Sequence, residues 1–241
     1  MKVTALALDP IEKKPLARYR PGSMILSVGS VGCTMHCPWC QNHQIAQPQD
    51  PQLVPTREIS SEDLVARARA RALVSEGNIG LAYTYNEPLM RWREVLACAQ
   101  AIHDAGLDNV VVTNGLIAPD KLAQLLPYID AFNIDLKGFD QSVYDIAGGK
   151  LDTVKNTIEQ AHEGAHVEVT TLIIPGVNDD MKLLDEQAAW LASIDMGMPL
   201  HLTRFFPQYR YANRPATPLE TLYRAQEVAS RHLDDVLLGN V

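Results

Sequence analysis

The sequence predicts an α/β fold, a partial and open (β/α)6 barrel that forms one domain over residues 1–241. Six apolar, strand-like stretches alternate with helix-like stretches, which is the pattern of parallel strands joined by right-handed crossovers. Polar clusters follow the strands at their carboxyl ends, as on the active face of a β/α barrel. The 241 residues, 46% of them hydrophobic, suffice for one sizeable core.

Six strands and six helices are predicted, and each strand is a short apolar run. Because six strands are fewer than the eight of a closed barrel, we expect the barrel to stay open. Ser60 and Asp63 form a predicted capping box where the first helix begins. The predicted strands are residues 24–29, 79–85, 109–113, 131–136, 166–174 and 200–205, and the predicted helices are residues 61–76, 89–105, 119–126, 151–164, 181–194 and 217–233.

A polar cluster lies at the end of each predicted strand. The carboxyl ends of the strands share one edge of the barrel, so these side chains are expected to lie near one another. The turn at residues 175–179 follows the fifth strand and is predicted to cap the next helix with Asn178 or Asp179. The other clusters are the cysteine loop 33–40, Asn86-Glu87-Pro88, Thr113-Asn114-Gly115, Asp135-Leu136-Lys137 and Arg204.

Three cysteines, Cys33, Cys37 and Cys40, lie within eight residues in the spacing C-x3-C-x2-C. Thiolates are soft ligands that suit iron–sulfur clusters, zinc or copper(I). A [4Fe–4S] cluster normally takes four cysteines, so three would leave one iron open to another ligand. The alternative is a zinc site with His36 or His43 as the fourth ligand, in a zinc-stabilised binding module without catalysis.

Composition narrows the function classes. The net charge of -8 and the pI of about 5.3 argue against non-specific nucleic-acid binding. No apolar run approaches the ~20 residues of a membrane helix, so no membrane association is expected. The first residues lack the features of a secretory signal, which predicts a cytoplasmic protein. Four cysteines in a chain of this length do not indicate a disulfide framework, and Cys98 is expected to be an inert core thiol.

The cysteine motif, with Trp39 in the aromatic position before Cys40, resembles the signature of the radical S-adenosylmethionine (SAM) superfamily. The resemblance implies a [4Fe–4S] cluster on Cys33, Cys37 and Cys40 whose open iron binds the amino and carboxylate groups of SAM. It also implies that an electron passing through the cluster cleaves SAM to methionine and a 5′-deoxyadenosyl radical.

Within this superfamily the sequence is similar to the pyruvate formate-lyase activating enzymes, and more narrowly to the radical SAM protein of the AmmeMemoRadiSam system. That likeness implies a flavodoxin- or ferredoxin-type electron donor and hydrogen abstraction from a glycyl radical enzyme or another protein. A small-molecule substrate stays open, and the acidic charge argues against RNA. The segments that carry the likeness are residues 9–16, 21–23, 40–42, 83–88 and 239–241.

The resemblance also predicts which residues bind SAM or line its site. Glu87 matches the glutamate of the family's usual Gly-Gly-Glu motif, with Tyr85 and Asn86 in place of the glycines. Its carboxylate is expected to receive the SAM ammonium, and the alternative is a solvated glutamate at a helix start. The residues expected at the SAM site are Trp39, Asn86, Glu87, Thr113, Asn114, Asp135, Lys137, Thr171 and Arg204.

Asp135 and Lys137 alternate with Leu136 and therefore point to the same face of the fourth strand. A charged pair that ends a buried strand needs a partner. The resemblance places Lys137 near the carboxylate or ribose of SAM, and the alternative is a mutual, purely structural ion pair.

Overall fold

A largely parallel sheet organises the chain in the computed structural model, which describes residues 1–73 and 77–241. The strands of the described residues are β1 Lys2–Val3, β2 Ala5–Pro10, β3 Met24–Gly29, β4 Arg57–Glu58, β5 Asn78–Tyr83, β6 Asp108–Thr113, β7 Ala131–Asp135, β8 His166–Ile173, β9 Leu200–Arg204 and β10 Val236–Gly239. The helices are α1 His43–Ala46, α2 Ser61–Ala72, α3 Trp92–Asp104, α4 Pro119–Leu125, α5 Gln141–Ala147, α6 Leu151–His162, α7 Met181–Ile194 and α8 Leu219–Ala229.

In the described part of the chain, the main sheet has eight strands in the order β10-β9-β8-β7-β6-β5-β3-β2. The strands from β3 to β10 in this order are parallel, while β2 pairs antiparallel with β3. The α/β fold with a parallel sheet is therefore confirmed. All six predicted strands are present, and two strands that were not predicted, Ala5–Pro10 and Val236–Gly239, also join the sheet. Both are edge strands whose residues are mostly half-buried, so they lack the continuous apolar run of a central strand.

Ser60 caps the first predicted helix, since its hydroxyl accepts a hydrogen bond from the Asp63 N–H at 3.0 Å, which is one of the two bonds of a capping box. The helix that follows is Ser61–Ala72, and residues 74–76 of the predicted helix lie outside the described residues. The helix predicted over 89–105 begins at Trp92, because the tighter 3₁₀ turn Pro88–Arg91 precedes it.

The prediction that Asn178 or Asp179 caps α7 is wrong. Asp180 caps this helix, and its carboxylate accepts from the Lys182 N–H at 2.8 Å. Asn178 instead accepts from the Ile174 N–H at 2.7 Å and donates to the Lys137 carbonyl at 2.7 Å. It therefore joins the ends of β7 and β8, which an isolated turn motif does not reveal.

Residues 15–20, here called the strap, cross the sheet at the amino ends of its strands. The Asn133 side chain donates to the Pro15 carbonyl at 2.8 Å, and Tyr19 donates to Asp108 at 2.9 Å. Arg18 forms an ion pair with Asp235, just before β10. The strap also brings Leu16 against apolar side chains of the inner face, in a cluster made of Ile11, Leu16, Ile25, Ala82, Val110 and Ala131.

Glu168, fully buried in β8, is the main anchor of the strap. Its carboxylate accepts from the Ala17 N–H at 2.9 Å and the Arg18 N–H at 2.7 Å. His166 and His201 lie against the same two oxygens, at 3.0 and 2.5 Å. Burial alone raises the pKa of Glu168, but the histidines and the two N–H groups outweigh it and lower the pKa to about 2.

In the described residues, no helix combines the length and the apolar character that a membrane crossing requires.

Candidate functional site

The cysteine loop follows β3 at the carboxyl edge of the sheet and is fastened at several points. The Gly32 N–H donates to the Ile45 carbonyl at 2.9 Å, so the loop closes back on α1. The His36 N–H donates to the Ala147 carbonyl at 2.7 Å, which ties the loop to the end of α5. These bonds hold the three cysteines on one short, anchored segment.

Cys33, Cys37 and Cys40 are free thiols, with Cys37 buried and the other two half-buried. Burial raises the pKa of Cys33 to about 11 and raises the pKa of Cys37 and Cys40 as well. Thiols in such surroundings become thiolates when a metal takes them up, because coordination supplies the missing positive charge. The donor set, three soft sulfurs on one loop, fits three irons of a [4Fe–4S] cluster.

The two histidines considered as zinc ligands have other contacts. The ring of His43 stacks on Tyr209, with centroids 4.4 Å apart, and its Nδ1 lies 3.3 Å from the Cys40 carbonyl oxygen. The ring of His36 lies against Gly148. Within residues 1–73 and 77–241, no group of three or more His, Cys, Asp or Glu side chains is arranged to bind a single metal ion.

Glu87 is the most tightly held polar side chain at this edge and is only 2% exposed. Its carboxylate accepts from the Thr113 hydroxyl at 2.7 Å, the Asn114 N–H at 2.7 Å and the Leu89 N–H at 2.9 Å. Burial raises its pKa to about 7, although these three donors work in the opposite direction. The alternative of a solvated glutamate is therefore wrong, and Glu87 joins the ends of β5 and β6.

Asn114 connects this carboxylate to the cysteine loop. Its side-chain amide donates to the Thr34 hydroxyl at 3.0 Å and lies 3.5 Å from the Cys33 sulfur. Since its backbone N–H is bonded to Glu87, one residue contacts both the loop and the buried carboxylate. Glu87, Thr113 and Asn114, predicted from two separate motifs, thus lie together near Cys33.

Asn86 fastens the turn before Glu87 to the same loop. Its side chain accepts from the Ser30 N–H at 2.9 Å and donates to the Gly32 carbonyl at 2.8 Å. The preceding residue, Tyr85, has a φ of +71°, a left-handed conformation that glycine adopts freely and tyrosine rarely does. The chain therefore keeps at Tyr85 a backbone conformation that suits the glycine of the family's usual motif.

The Tyr85 side chain is itself held by two charged residues. Its hydroxyl donates to Asp9 at 2.6 Å, and the Lys14 ammonium donates to the same Asp9 oxygen at 2.8 Å. The ammonium also lies 4.8 Å from the centre of the Tyr85 ring. Motif reasoning missed this cluster, although Asp9 and Lys14 belong to a segment that carried the family likeness. The tyrosine in a glycine position was the available signal.

Asp135 and Lys137 form an ion pair of 2.7 Å at the end of β7, as the structural alternative expects. Burial lowers the pKa of Lys137, but Asp135 and the Cys37 sulfur outweigh it, so that the pKa is raised and the ammonium stays charged. The pair therefore lies close enough to the cysteines to affect them electrostatically. An ion pair and a role at the cofactor site are compatible here.

Thr171 and Arg204 do not join this group. Thr171 is fully buried, donates to the Leu136 carbonyl at 2.9 Å and accepts from Gln187 of α7 at 2.8 Å, so it faces the helix layer. Arg204 donates to the Thr217 carbonyl at 2.8 Å and lies over the ring of Phe206. Neither side chain has a contact with Glu87 or the cysteines in these bonds, and their expected contacts with the cofactor stay predictions.

Trp39, also expected at the SAM site, is buried beneath the loop that follows β9. Its ring centre lies 5.6 Å from that of Tyr211. Trp39 belongs to the main hydrophobic core, so in this structure its ring anchors the cysteine loop to that core.

Comparison with known proteins agrees with this geometry. The family model of the Radical SAM superfamily matches residues 27–186, which include the cysteine loop and the ends of β5 to β8. An uncharacterized protein of Methanocaldococcus jannaschii is 36% identical over 243 residues, covering 100% of this chain and 71% of the relative. The (2S)-3-sulfopropanediol dehydratase activating enzyme of Klebsiella oxytoca is 22% identical over 197 residues, which are 80% of this chain and 61% of that enzyme.

A solved structure supports the fold. A domain of the pyruvate-formate lyase-activating enzyme from Bacteroides vulgatus superposes with a TM-score of 0.58 at 19% identity, covering 67% of this chain and 99% of that domain. The family match spans well over half of the chain, and it includes the cysteine loop, the buried glutamate and the parallel strands β5 to β8. On these grounds the chain belongs to the radical SAM superfamily.

Proposed function

We propose that this chain binds a [4Fe–4S] cluster through Cys33, Cys37 and Cys40 and cleaves SAM reductively to methionine and a 5′-deoxyadenosyl radical. The radical then abstracts hydrogen from a glycyl radical enzyme or another protein. One observation carries the proposal: the three thiols lie on one anchored loop that Asn114 joins to the buried carboxylate of Glu87. When bound, the cluster supplies the electron for the cleavage.

The residues around the cysteines have defined tasks in this proposal. Glu87 has a lone pair on Oε2 beyond the bond from Asn114, and it offers negative charge to the SAM ammonium. The ammonium of Lys137, which Asp135 keeps charged, suits the SAM carboxylate. Asn86, Thr113 and Asn114 hold Glu87 and the loop in one arrangement, which lowers the cost of ordering the site on binding.

The likeness to the dehydratase activating enzyme of Klebsiella oxytoca supports a protein substrate. A flavodoxin- or ferredoxin-type protein is the proposed electron donor. Reduced thiols and such a donor suit the cytoplasm, which we propose as the location.

The cysteines give the first test. Anaerobically reconstituted protein should bind about four irons, absorb broadly near 400 nm and, with dithionite, convert SAM to methionine and 5′-deoxyadenosine. Cys33→Ala, Cys37→Ala and Cys40→Ala should each abolish both the absorbance and the products. Cys98→Ala is the matched control, because Cys98 is a buried thiol in α3 that should leave both unchanged.

Two results would contradict the proposal. Equal iron loss in Cys98→Ala would mean that the three-cysteine ligand set is wrong. S-adenosylhomocysteine as the sole product would indicate methyl transfer instead of reductive cleavage.

A further inference from the structure

Two segments next to the cysteines differ in charge from the rest of this acidic chain. Residues 29–49, which contain the cysteine loop and α1, include no Asp or Glu, although the chain has 29 acidic residues and a net charge of -8. Residues 205–219, which connect β9 to α8, also include none, and they contribute Arg210 and Arg214. We call these two segments together the cluster face.

The two segments are bonded to each other and form one surface. The Arg210 N–H donates to the Pro38 carbonyl at 3.0 Å, and the Gln208 side chain donates to the Trp39 carbonyl at 3.4 Å. Pro38 and Trp39 lie between the second and third cysteines of the motif. The positive charge of the second segment is therefore attached directly to the cysteine loop.

A stack of side chains extends from the cysteine loop to solvent. The ring of His43 lies near the Cys40 carbonyl and stacks on Tyr209 at an interplanar angle of 15°. Arg210 lies next to Tyr209 in this stack, and its Nε donates to the Tyr209 hydroxyl at 3.1 Å. Tyr209 has a φ of +49°, so the backbone here is held in a rarely populated conformation. The exposed Arg210 guanidinium is thus a preorganised group.

Within residues 1–73 and 77–241, the two arginines of the cluster face have no acidic partner. In the described part of the chain, no carboxylate lies within ion-pair distance of Arg210 or Arg214, whereas Arg18, Arg20 and Arg91 each pair with one. Arg214 lies over the ring of Tyr211, 3.9 Å from its centre, and donates to the Pro175 carbonyl. Its charge is therefore oriented without being neutralised. Phe206, 46% exposed, adds an apolar group at the edge.

We propose that the cluster face is the docking surface for an acidic electron-donor protein. This inference rests on the proposed function, because it needs a cluster that must be reduced. One electron passes from the donor to the cluster, so that the donor is oxidised by one electron and the cluster is reduced by one. An acidic donor is repelled by the net charge of this chain, whereas a local positive surface beside the cysteines attracts it to the cysteine loop.

The experiment measures binding and reduction separately in the reconstituted protein. Oxidised flavodoxin, a small acidic carrier, is titrated by calorimetry, and bleaching near 400 nm by reduced flavodoxin or by a reduced bacterial ferredoxin is followed by stopped flow. At about 20 mM salt, Arg210→Glu should slow bleaching about tenfold with whichever of the two donors reduces the parent faster, and it should weaken flavodoxin binding. The reason is that reversing a charge at the edge of an interface mainly lowers the association rate. Arg210→Lys keeps the charge and should remain close to the parent.

Two controls separate docking from folding and from the chemistry. Arg69→Glu makes the same charge change on α2, beside the Ala68 carbonyl that binds Asn78 at the opposite end of the sheet. It should leave both donors unaffected. Dithionite needs no docking surface, so Arg210→Glu should keep its iron content and its dithionite-driven cleavage of SAM.

The outcomes are distinguishable. If the parent fails to cleave SAM with dithionite, the proposed function fails irrespective of docking. If the parent does cleave it, the docking inference is overturned by any of three results: neither donor reduces the parent, Arg210→Glu is reduced as fast as the parent, or Arg69→Glu is slowed equally. A difference between Arg210→Glu and the parent that persists undiminished at about 0.5 M salt also contradicts it, since screening should remove the effect.

Discussion

At the scale of single residues, two side chains of the site combine a motif position with contacts to distant segments. Glu87 is expected to receive an ammonium, and in the structure its carboxylate accepts three hydrogen bonds from its own chain. Tyr85 adopts a glycine-like conformation because Asp9 and Lys14 hold its hydroxyl and ring. A motif can predict the first role, since it depends on residue type, but the second depends on contacts between distant segments.

Glu87→Gln should weaken SAM binding by roughly 10- to 150-fold, measured by equilibrium dialysis on the reconstituted protein. The substitution removes the charge offered to the ammonium, and a charge-assisted bond is worth about 1.5–3 kcal/mol. The carboxylate of Glu87 accepts from three donors, and the new amide N–H group would face one of them and break that hydrogen bond. A lower melting temperature is therefore expected. Glu168→Gln is the matched control, because it changes a buried glutamate at the other end of the sheet. An unchanged SAM affinity in Glu87→Gln would remove Glu87 from the cofactor site.

At the scale of elements, α5 has a function that its sequence did not indicate. This short helix, Gln141–Ala147, was not predicted, yet its last carbonyl binds the cysteine loop at His36. Gly148 ends it with a φ of +82°, and a Cβ at this position would lie 2.1 Å from the His36 ring. The helix end therefore needs a glycine both for its backbone and for the space that the loop occupies.

Gly148→Ala should reduce the iron content of reconstituted protein by more than half and destabilise the fold. A left-handed alanine costs about 1–2 kcal/mol, and the clash displaces His36 and with it the loop between Cys33 and Cys37. Gly106→Ala separates the two effects: Gly106 also has a positive φ, of +72°, but a Cβ there meets no atom within 4 Å. Gly106→Ala should lose stability and keep its iron. Normal iron binding by Gly148→Ala would show that the loop does not depend on α5.

At the scale of the whole molecule, the strap connects parts of the sheet that are far apart in sequence. Residues 15–20 contact β7, β8 and the start of β10, and they do so largely through Glu168 and Asp235. The fully buried Glu168 carboxylate accepts four hydrogen bonds, two of which come from histidines. The sheet is therefore held together at the end opposite to the cysteines by an electrostatic anchor.

The stability of the protein should fall as the pH drops below about 4. A folded-state pKa of about 2, compared with about 4.3 for a free glutamate, means that Glu168 contributes about 3 kcal/mol above pH 4.3, which is lost as the pH falls toward 2. Glu168→Gln should lower the free energy of unfolding at pH 7 and make it depend less on pH between about 4 and 2. Denaturant unfolding at several pH values measures both effects. The exposed Glu163→Gln serves as the control. If Glu168→Gln keeps the parent's pH dependence, the anchor lies elsewhere.

The sequence by itself determined the α/β class, the parallel central strands and the close spacing of the three cysteines, because these features follow from residue type and periodicity, which are local properties of the chain. The resemblance to a known family added the expectations that the cysteines hold a cluster and that Glu87 binds SAM. Only the tertiary structure decided that Ala5–Pro10 and Val236–Gly239 extend the sheet, that Asp180 and not Asn178 caps α7, and that Thr171 faces the helix layer. The Glu168 anchor, the Asp9–Lys14–Tyr85 cluster and the cluster face were likewise decided there. Each depends in part on residues that lie far apart in the chain, up to 169 positions for Gln208 and Trp39. No local pattern encodes which distant group will satisfy a buried charge.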